Sequence, residues 1–161
     1  MLRNALRLGA LPILALVAGT VPGFALDVAK SIDVAAPPAK VWATIGDFCG
    51  IGTWHPAVEK CAPSTKGRAM LRSLALKGGG TIVESQTSRD DKAMTYTYAI
   101  EESPLPVSDY SSTITVVPSG SGSKINWTGS FKAKGVPDTV AKDVIEGIYT
   151  SGLGGIAEKA K

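Results

Sequence analysis

The sequence is poor in the residue types on which metal and nucleophile chemistry depends. Histidine occurs once, at His55, and cysteine twice, at Cys49 and Cys61. A histidine-rich metal site is therefore excluded, and a catalytic triad would have to be built around His55. The glycines at 78–80 lack the following Lys-Ser/Thr of a phosphate-binding loop, so they indicate a turn. We expect no metal and no cofactor, and we assign no catalytic residue.

Clusters of positive charge are also lacking. The formal net charge of +3 includes Arg3 and Arg7, and the chain beyond residue 25 carries 15 basic and 14 acidic side chains. No basic stripe or run of lysine and arginine is present, and such a feature is the electrostatic mark of nucleic-acid binding. Nucleic acid is therefore excluded as a partner.

The first 25 residues have the pattern of a signal peptide. Arg3 and Arg7 precede an uncharged apolar run over residues 8–21, and small side chains before a site after Ala25 suit signal peptidase. An uncleaved membrane anchor is the alternative, but the run is shorter than the roughly 20 apolar residues that span a bilayer. We expect cleavage after Ala25, a periplasmic or secreted protein, and no stable membrane insertion after cleavage.

Residues 26–161 are enough for one domain with a core of its own. Cys49 and Cys61 flank one short loop, and an exported protein enters a compartment where disulfides persist. We expect the two residues to form a disulfide, with two separate half-buried thiols as the alternative.

Hydrophobic periodicity predicts the order of strands and helices. A first strand is predicted over residues 27–34, and Pro37 opens a short helix that breaks near Asp47. A second helical turn is predicted over residues 51–54. Six strands follow in succession, separated by turn-forming residues, near residues 57–62, 67–76, 80–89, 94–101, 110–118 and 124–133.

A long helix ends the chain. Pro137 and Asp138 suit its start, and an apolar stripe along it predicts that it lies across a sheet. Four glycines in this helix, at 147, 152, 154 and 155, cost stability that close packing, a kink or room for a ligand must offset. The two short helices between the first strands argue against a lipocalin-type barrel. The predicted class is α+β, with a seven-stranded curved antiparallel sheet wrapped around the C-terminal helix and a cavity between them.

Many short motifs occur in the order and spacing of a known superfamily. They are Val41-Trp42-Ala43, Asp47-Phe48, Trp54-His55-Pro56, Arg72, Gly79 to Glu84, Tyr96-Thr97-Tyr98, Pro104-Leu105-Pro106-Val107, Tyr110, Trp127 and Phe131. Together they resemble the SRPBCC or START-like (Bet v 1-like) superfamily, in its polyketide cyclase/dehydrase-type branch, and are similar to exported MxaD-like proteins. The resemblance covers nearly all of residues 26–161. It implies a helix-grip fold, a cavity for hydrophobic molecules and, from the MxaD-like members, an accessory role beside a periplasmic oxidoreductase.

Strand parity predicts which side chains face the cavity. The candidate ligand-binding residues are Arg72, Leu74, Glu84, Tyr98, Tyr110, Trp127, Tyr149 and His55. Arg72 and Glu84 lie on neighbouring strands, where they would either anchor a polar group of the ligand or form a salt bridge of purely structural value. The aromatic residues would line the cavity or serve as ordinary core.

Two further features have open interpretations. His55 would act as a general acid or base at the cavity mouth, or it would simply hydrogen-bond a loop. The loop over residues 104–107 would be a gate over the cavity entrance or a rigid hairpin connection.

The main hypothesis is a periplasmic protein that binds a small hydrophobic ligand. A polyketide cyclase or dehydratase, and an accessory protein of a periplasmic dehydrogenase, are the alternatives.

Overall fold

The computed structural model describes residues 25–161, so the predicted signal peptide lies outside the described residues apart from Ala25. The helices are α1 (Pro38–Ile45), α2 (Ile51–Trp54) and α3 (Asp138–Lys159), with a 3-10 turn at Phe48–Gly50. The strands are β1 (Leu26–Val34), β2 (Val58–Lys66), β3 (Ala69–Leu76), β4 (Thr81–Asp90), β5 (Thr95–Glu102), β6 (Val107–Ser119) and β7 (Gly122–Ala133). No helix in this range is both long and apolar enough to cross a bilayer.

All seven strands form one antiparallel sheet in the order β1-β7-β6-β5-β4-β3-β2. Strands β2 to β7 form a meander, and β1 joins its far edge through β7. Register shifts occur in β2, β4 and β6, and such bulges bend a strand and increase its twist. The sheet therefore curves around α3, and the predicted α+β helix-grip fold is confirmed.

Two strand boundaries differ from those predicted by three residues or more. Strand β2 continues to Lys66 and includes Pro63, which an edge strand tolerates because its outer backbone groups need no partner. Strand β6 begins at Val107, three residues earlier than predicted. A bulge with Asp109 at a φ of 52° interrupts its alternation there, which hid the start of the strand from a period-two pattern.

Close packing explains two of the four glycines in α3. A Cβ at Gly155 would lie 1.9 Å from the backbone oxygen of Trp54, and one at Gly152 would lie 2.6 Å from Cζ3 of Trp127. Nothing lies within 4 Å of a Cβ at Gly147 or Gly154. Glycine therefore occupies the positions at which α3 packs most closely against α2 and the sheet.

A disulfide joins Cys49, in the 3-10 turn, to Cys61 of β2, with their Cα atoms 5.6 Å apart. It ties the helical segment between β1 and β2 to the edge of the sheet. Because that segment covers one end of the sheet's concave side, the disulfide also holds in place the residues that cover it.

Candidate functional site

A cavity of about 280 Å³ lies between the concave face of the sheet and α3. Its wall is almost entirely carbon, and its size falls just below the usual range of about 300–1,000 Å³ for small-molecule sites. The lining residues are Ile51, His55, Ala57, Val58, Leu74, Leu76, Ile82, Glu84, Tyr98, Ile100, Leu105, Tyr110, Trp127, Val144, Ile145 and Ile148.

One ion pair is buried against this cavity. Arg72 of β3 and Glu84 of β4 are directly opposed in the sheet, and Arg72 Nε lies 2.5 Å from Glu84 Oε2. Arg72 also donates from Nη1 to the backbone oxygen of Phe48, and its guanidinium lies 4.0 Å from the centre of the Phe48 ring. We call Arg72 and Glu84 the charged cluster.

The two members of the charged cluster face different surroundings. Arg72 is 1 % exposed and lies behind the cavity wall, with the ring of Tyr98 5.0 Å from its guanidinium carbon. Glu84 forms part of the wall itself. Burial raises the pKa of the Glu84 carboxyl above its ordinary value, and the adjacent Arg72 guanidinium opposes that rise.

A second polar group consists of neutral side chains, and we call it the hydroxyl cluster: Tyr110, Ser112, Trp127 and Tyr149. Tyr110 Oη lies 2.6 Å from Tyr149 Oη, and Tyr149 Oη lies 2.8 Å from Ser112 Oγ. Trp127 Nε1 donates to Ser112 Oγ at 2.9 Å and to Tyr98 Oη at 3.1 Å. Each polar atom in the cluster therefore has a partner, as burial requires.

A glycine on the sheet makes the hydroxyl cluster sterically feasible. Tyr149 reaches from α3 onto the concave face and stacks on Trp127, with ring centres 4.6 Å apart. A Cβ at Gly129 of β7 would lie only 2.1 Å from Tyr149 Oη. Any larger residue at position 129 would displace this hydroxyl from the sheet.

Burial keeps the three tyrosines of this region protonated. It raises the pKa of Tyr98 and Tyr110 well above the ordinary value of 10, and it raises the pKa of Tyr149 to about 12. These hydroxyls act as neutral hydrogen-bonding groups at physiological pH.

His55 has both ring nitrogens engaged. Nδ1 accepts from the backbone N–H of Ala57, and Nε2 lies 3.2 Å from the backbone oxygen of Ile148, to which only a protonated nitrogen can donate. Burial lowers the pKa of His55 below 6.5, the Arg72 charge lowers it further, and the Ile148 contact opposes the shift. The ring is neutral and links α2 to α3, which agrees with the structural interpretation and leaves no nitrogen free for proton transfer.

The structure places six of the eight candidate residues on the cavity wall: Leu74, Glu84, Tyr98, Tyr110, Trp127 and His55. Arg72 and Tyr149 lie one layer behind, where each holds a residue that does line the cavity. Ligand contact by any of the eight stays a prediction. Ser112 is not among the candidates, although it shares the buried face of β6 with Tyr110 and Ile114, a position that strand parity could have identified.

The loop over residues 103–106 covers one side of the cavity through Leu105. Leu105 N–H donates to Ser103 Oγ within the loop at 2.9 Å, and Lys134 N–H ties the loop to the end of β7 by donating to the Pro106 oxygen at 2.9 Å. A gate would have to break the second of these bonds to open.

Within residues 25–161, no group of three or more His, Cys, Asp or Glu side chains is arranged to hold a metal ion. The residues of the cavity wall that carry polar side-chain groups are Glu84, Tyr98, Tyr110, His55 and Trp127. They suit hydrogen bonding to an organic molecule.

Solved structures share this fold. An uncharacterized protein from Bacillus thuringiensis has 32 % identity and a TM-score of 0.79, covering 84 % of this chain and 98 % of its own. Protein XoxI from Bacillus cereus has 33 % identity and a TM-score of 0.77, covering 83 % and 94 %. The Zhui aromatase/cyclase from Streptomyces sp. R1128 has 17 % identity and a TM-score of 0.72, covering 85 % and 94 %, and shows the fold alone.

A comparison with curated proteins gives no significant match. The model of one family, described as polyketide cyclase / dehydrase and lipid transport, matches residues 25–161. That match spans every strand and helix described above and includes the whole cavity. The chain belongs to the polyketide cyclase/dehydrase and lipid transport family.

Proposed function

We propose that this protein is a periplasmic carrier that holds a small, mostly apolar molecule in the cavity between the sheet and α3. The observation that carries the proposal is the cavity itself, about 280 Å³ of space with an almost entirely carbon wall. Such a space favours an apolar ligand, because transfer of apolar surface out of water stabilises the complex by about 25 cal/mol per Å².

Two observations support the proposed location. The leader over residues 1–25 has the pattern of a cleaved signal peptide. The Cys49–Cys61 disulfide also supports this location, because disulfides persist in oxidising compartments such as the periplasm.

Binding without catalysis is favoured by the state of the polar groups. A general acid or base needs a proton or lone pair within reach of the ligand and a pKa near the working pH. Both His55 nitrogens are engaged, and burial raises the pKa of the cavity tyrosines well above 10. These groups can orient a ligand but are poorly suited to move its protons.

A cyclase or dehydratase is the second candidate, and Glu84 is the observation in its favour. Glu84 lies in the cavity wall, burial raises its pKa, and only its Oε2 is bound to Arg72. A carboxylate in this setting is able to take a proton from a bound carbonyl compound. If Glu84→Gln retained ligand binding but lost turnover, the protein would be an enzyme.

Native mass spectrometry of the protein purified from the periplasm of its own cells tests the proposal. We expect a stoichiometric small molecule that is released on denaturation, bound to a chain that begins at Leu26. An empty chain that co-purifies with an oxidoreductase would instead establish the accessory role expected of MxaD-like proteins. An empty and solitary chain would count against the carrier and leave the enzyme to be tested.

A further inference from the structure

The hydrogen bonds of the hydroxyl cluster can be assigned a direction. Ser112 Oγ lies 2.7 Å from the backbone oxygen of Thr128, which can only accept, so Ser112 donates its single proton there. Tyr149 must then donate to Ser112, and Tyr110 must donate to Tyr149. This is the one assignment in which every contact contains a proton.

Tyr98 is left with a proton to donate. Its Oη accepts from Trp127 Nε1 and lies beside the Ser112 side chain, and among residues 25–161 its O–H donates to no group within hydrogen-bond distance and angle. Ser112, its neighbour on β6, already accepts from Trp127 and Tyr149, so both of its lone pairs are used. Tyr98 is 2 % exposed and lines the cavity, which makes it a buried, unused donor at the ligand site.

Glu84 is left with an acceptor. Arg72 occupies Oε2, and within the described part of the chain no side chain or backbone group donates to Oε1. Glu84 is directly opposite Ile100, two residues from Tyr98 on the same face of β5, so Glu84 and Tyr98 are diagonal neighbours in the sheet. Arg72 touches both and holds them on one side of the cavity.

We propose that the cavity selects an apolar molecule that carries a hydroxyl group, whose oxygen accepts from Tyr98 and whose proton is donated to Glu84 Oε1. An alcohol or phenol supplies both functions from one atom, whereas a ketone or ether can only accept and a hydrocarbon can do neither. The inference rests on the proposed function and adds the chemical class of the ligand.

Three aromatic probes of similar shape test this selection: 2-naphthol, 2-methoxynaphthalene and 2-methylnaphthalene. Each is titrated against the protein loaded with the fluorescent reporter N-phenyl-1-naphthylamine. We expect 2-naphthol to bind most tightly and 2-methylnaphthalene least, with about a tenfold difference for each hydrogen bond lost. The methoxy compound should fall between them, because it accepts from Tyr98 but leaves Glu84 without a donor.

A pair of variants assigns the effect to Tyr98. In Tyr98→Phe the methoxy and methyl compounds should bind equally, since the donor that separates them is gone. Thr97→Val is the matched control: Thr97 lies on the same strand, its hydroxyl is 2.8 Å from that of Thr113, and it does not line the cavity, so the order of the three probes should persist. Circular dichroism confirms that both variants fold.

The outcomes separate this inference from the function on which it rests. Equal displacement of the reporter by all three probes would overturn the hydroxyl selection and leave the apolar carrier intact. Equal binding of 2-naphthol and 2-methoxynaphthalene would overturn the part assigned to Glu84. Failure of the reporter and of every probe to bind would contradict the proposed function itself.

Discussion

The concave face of the sheet holds two buried polar clusters whose polar groups are paired in different ways. The hydroxyl cluster is neutral, and each of its polar atoms is paired with another protein group. The charged cluster places an ion pair in the same apolar interior and leaves one carboxylate oxygen of Glu84, a residue of the cavity wall, without a bond to Arg72. The first arrangement fastens α3 to the sheet, and the second leaves a polar atom available to a ligand.

The largest expected difference between the two clusters is in stability. Arg72→Met leaves Glu84 buried without a countercharge and should lower the free energy of unfolding by about 3–5 kcal/mol. Tyr149→Phe removes one neutral hydroxyl and should cost about 1–3 kcal/mol. Urea denaturation followed by circular dichroism measures both.

The double variant Arg72→Met/Glu84→Leu is the control for this comparison. It removes the uncompensated charge, so it should recover most of the stability that Arg72→Met loses. Equal losses in Arg72→Met and Tyr149→Phe would contradict the distinction between the clusters.

Loss of the disulfide should have the next largest effect on the free energy of unfolding. Phe48, whose backbone oxygen accepts from Arg72, is adjacent to Cys49, so the bond to Cys61 helps to hold the charged cluster in place. A loop closed over 12 residues stabilises a protein by about 3 kcal/mol in the chain-entropy model. The variant Cys49→Ala/Cys61→Ala should lose that amount in urea denaturation, and a loss below about 1 kcal/mol would show that the segment is held without the bond.

Adding a single methyl group to α3 should change the stability of the protein according to whether the position contacts the sheet. In Gly152→Ala the new Cβ would lie 2.6 Å from Trp127 and 2.7 Å from His55, so overpacking should cost about 1–3 kcal/mol. In Gly147→Ala, on the same helix, the Cβ meets nothing within 4 Å, and the protein should gain up to about 1 kcal/mol. Thermal denaturation compares the two, and a shift of the same sign in both would contradict the close approach described for Gly152.

The smallest expected effect depends on pH. Burial lowers the pKa of His55 in the folded state, so below about pH 6.5 the unfolded chain binds the proton more readily and the free energy of unfolding falls. Between pH 7 and 5 the wild type should lose at most about 1.4 kcal/mol per pH unit more than His55→Gln loses. Glu84, whose pKa burial raises, acts in the opposite direction in both proteins and cancels in the difference. Parallel profiles would mean that His55 is not buried in its neutral form.

The sequence predicted the order of the elements and most of the inward face, because period-two alternation is strong wherever a strand is packed on one side. It therefore placed Arg72 and Glu84 on neighbouring strands and Tyr98 on the same inward face. It did not predict that Arg72 lies behind the wall, because parity gives the face of a strand and not the depth of a long side chain.

Other features of the site depend on contacts between residues far apart in the chain. Ser112 is central to the hydroxyl cluster only because Tyr149, 37 residues away, reaches it across Gly129. The glycines of α3 looked alike in the sequence, yet only some of them lie against a neighbour. The size of the cavity also follows from such packing, since it is the space that α3 leaves when Gly152 and Gly155 bring it close.

The most direct test of the account is whether filling this cavity removes binding. N-phenyl-1-naphthylamine is titrated against the wild type, against Ile100→Trp, which places an indole in the cavity wall, and against Met70→Trp, which places one at an exposed position. We expect the wild type and Met70→Trp to bind alike and a folded Ile100→Trp to bind at least about tenfold more weakly. Unchanged binding by a folded Ile100→Trp would place the ligand elsewhere and contradict the account.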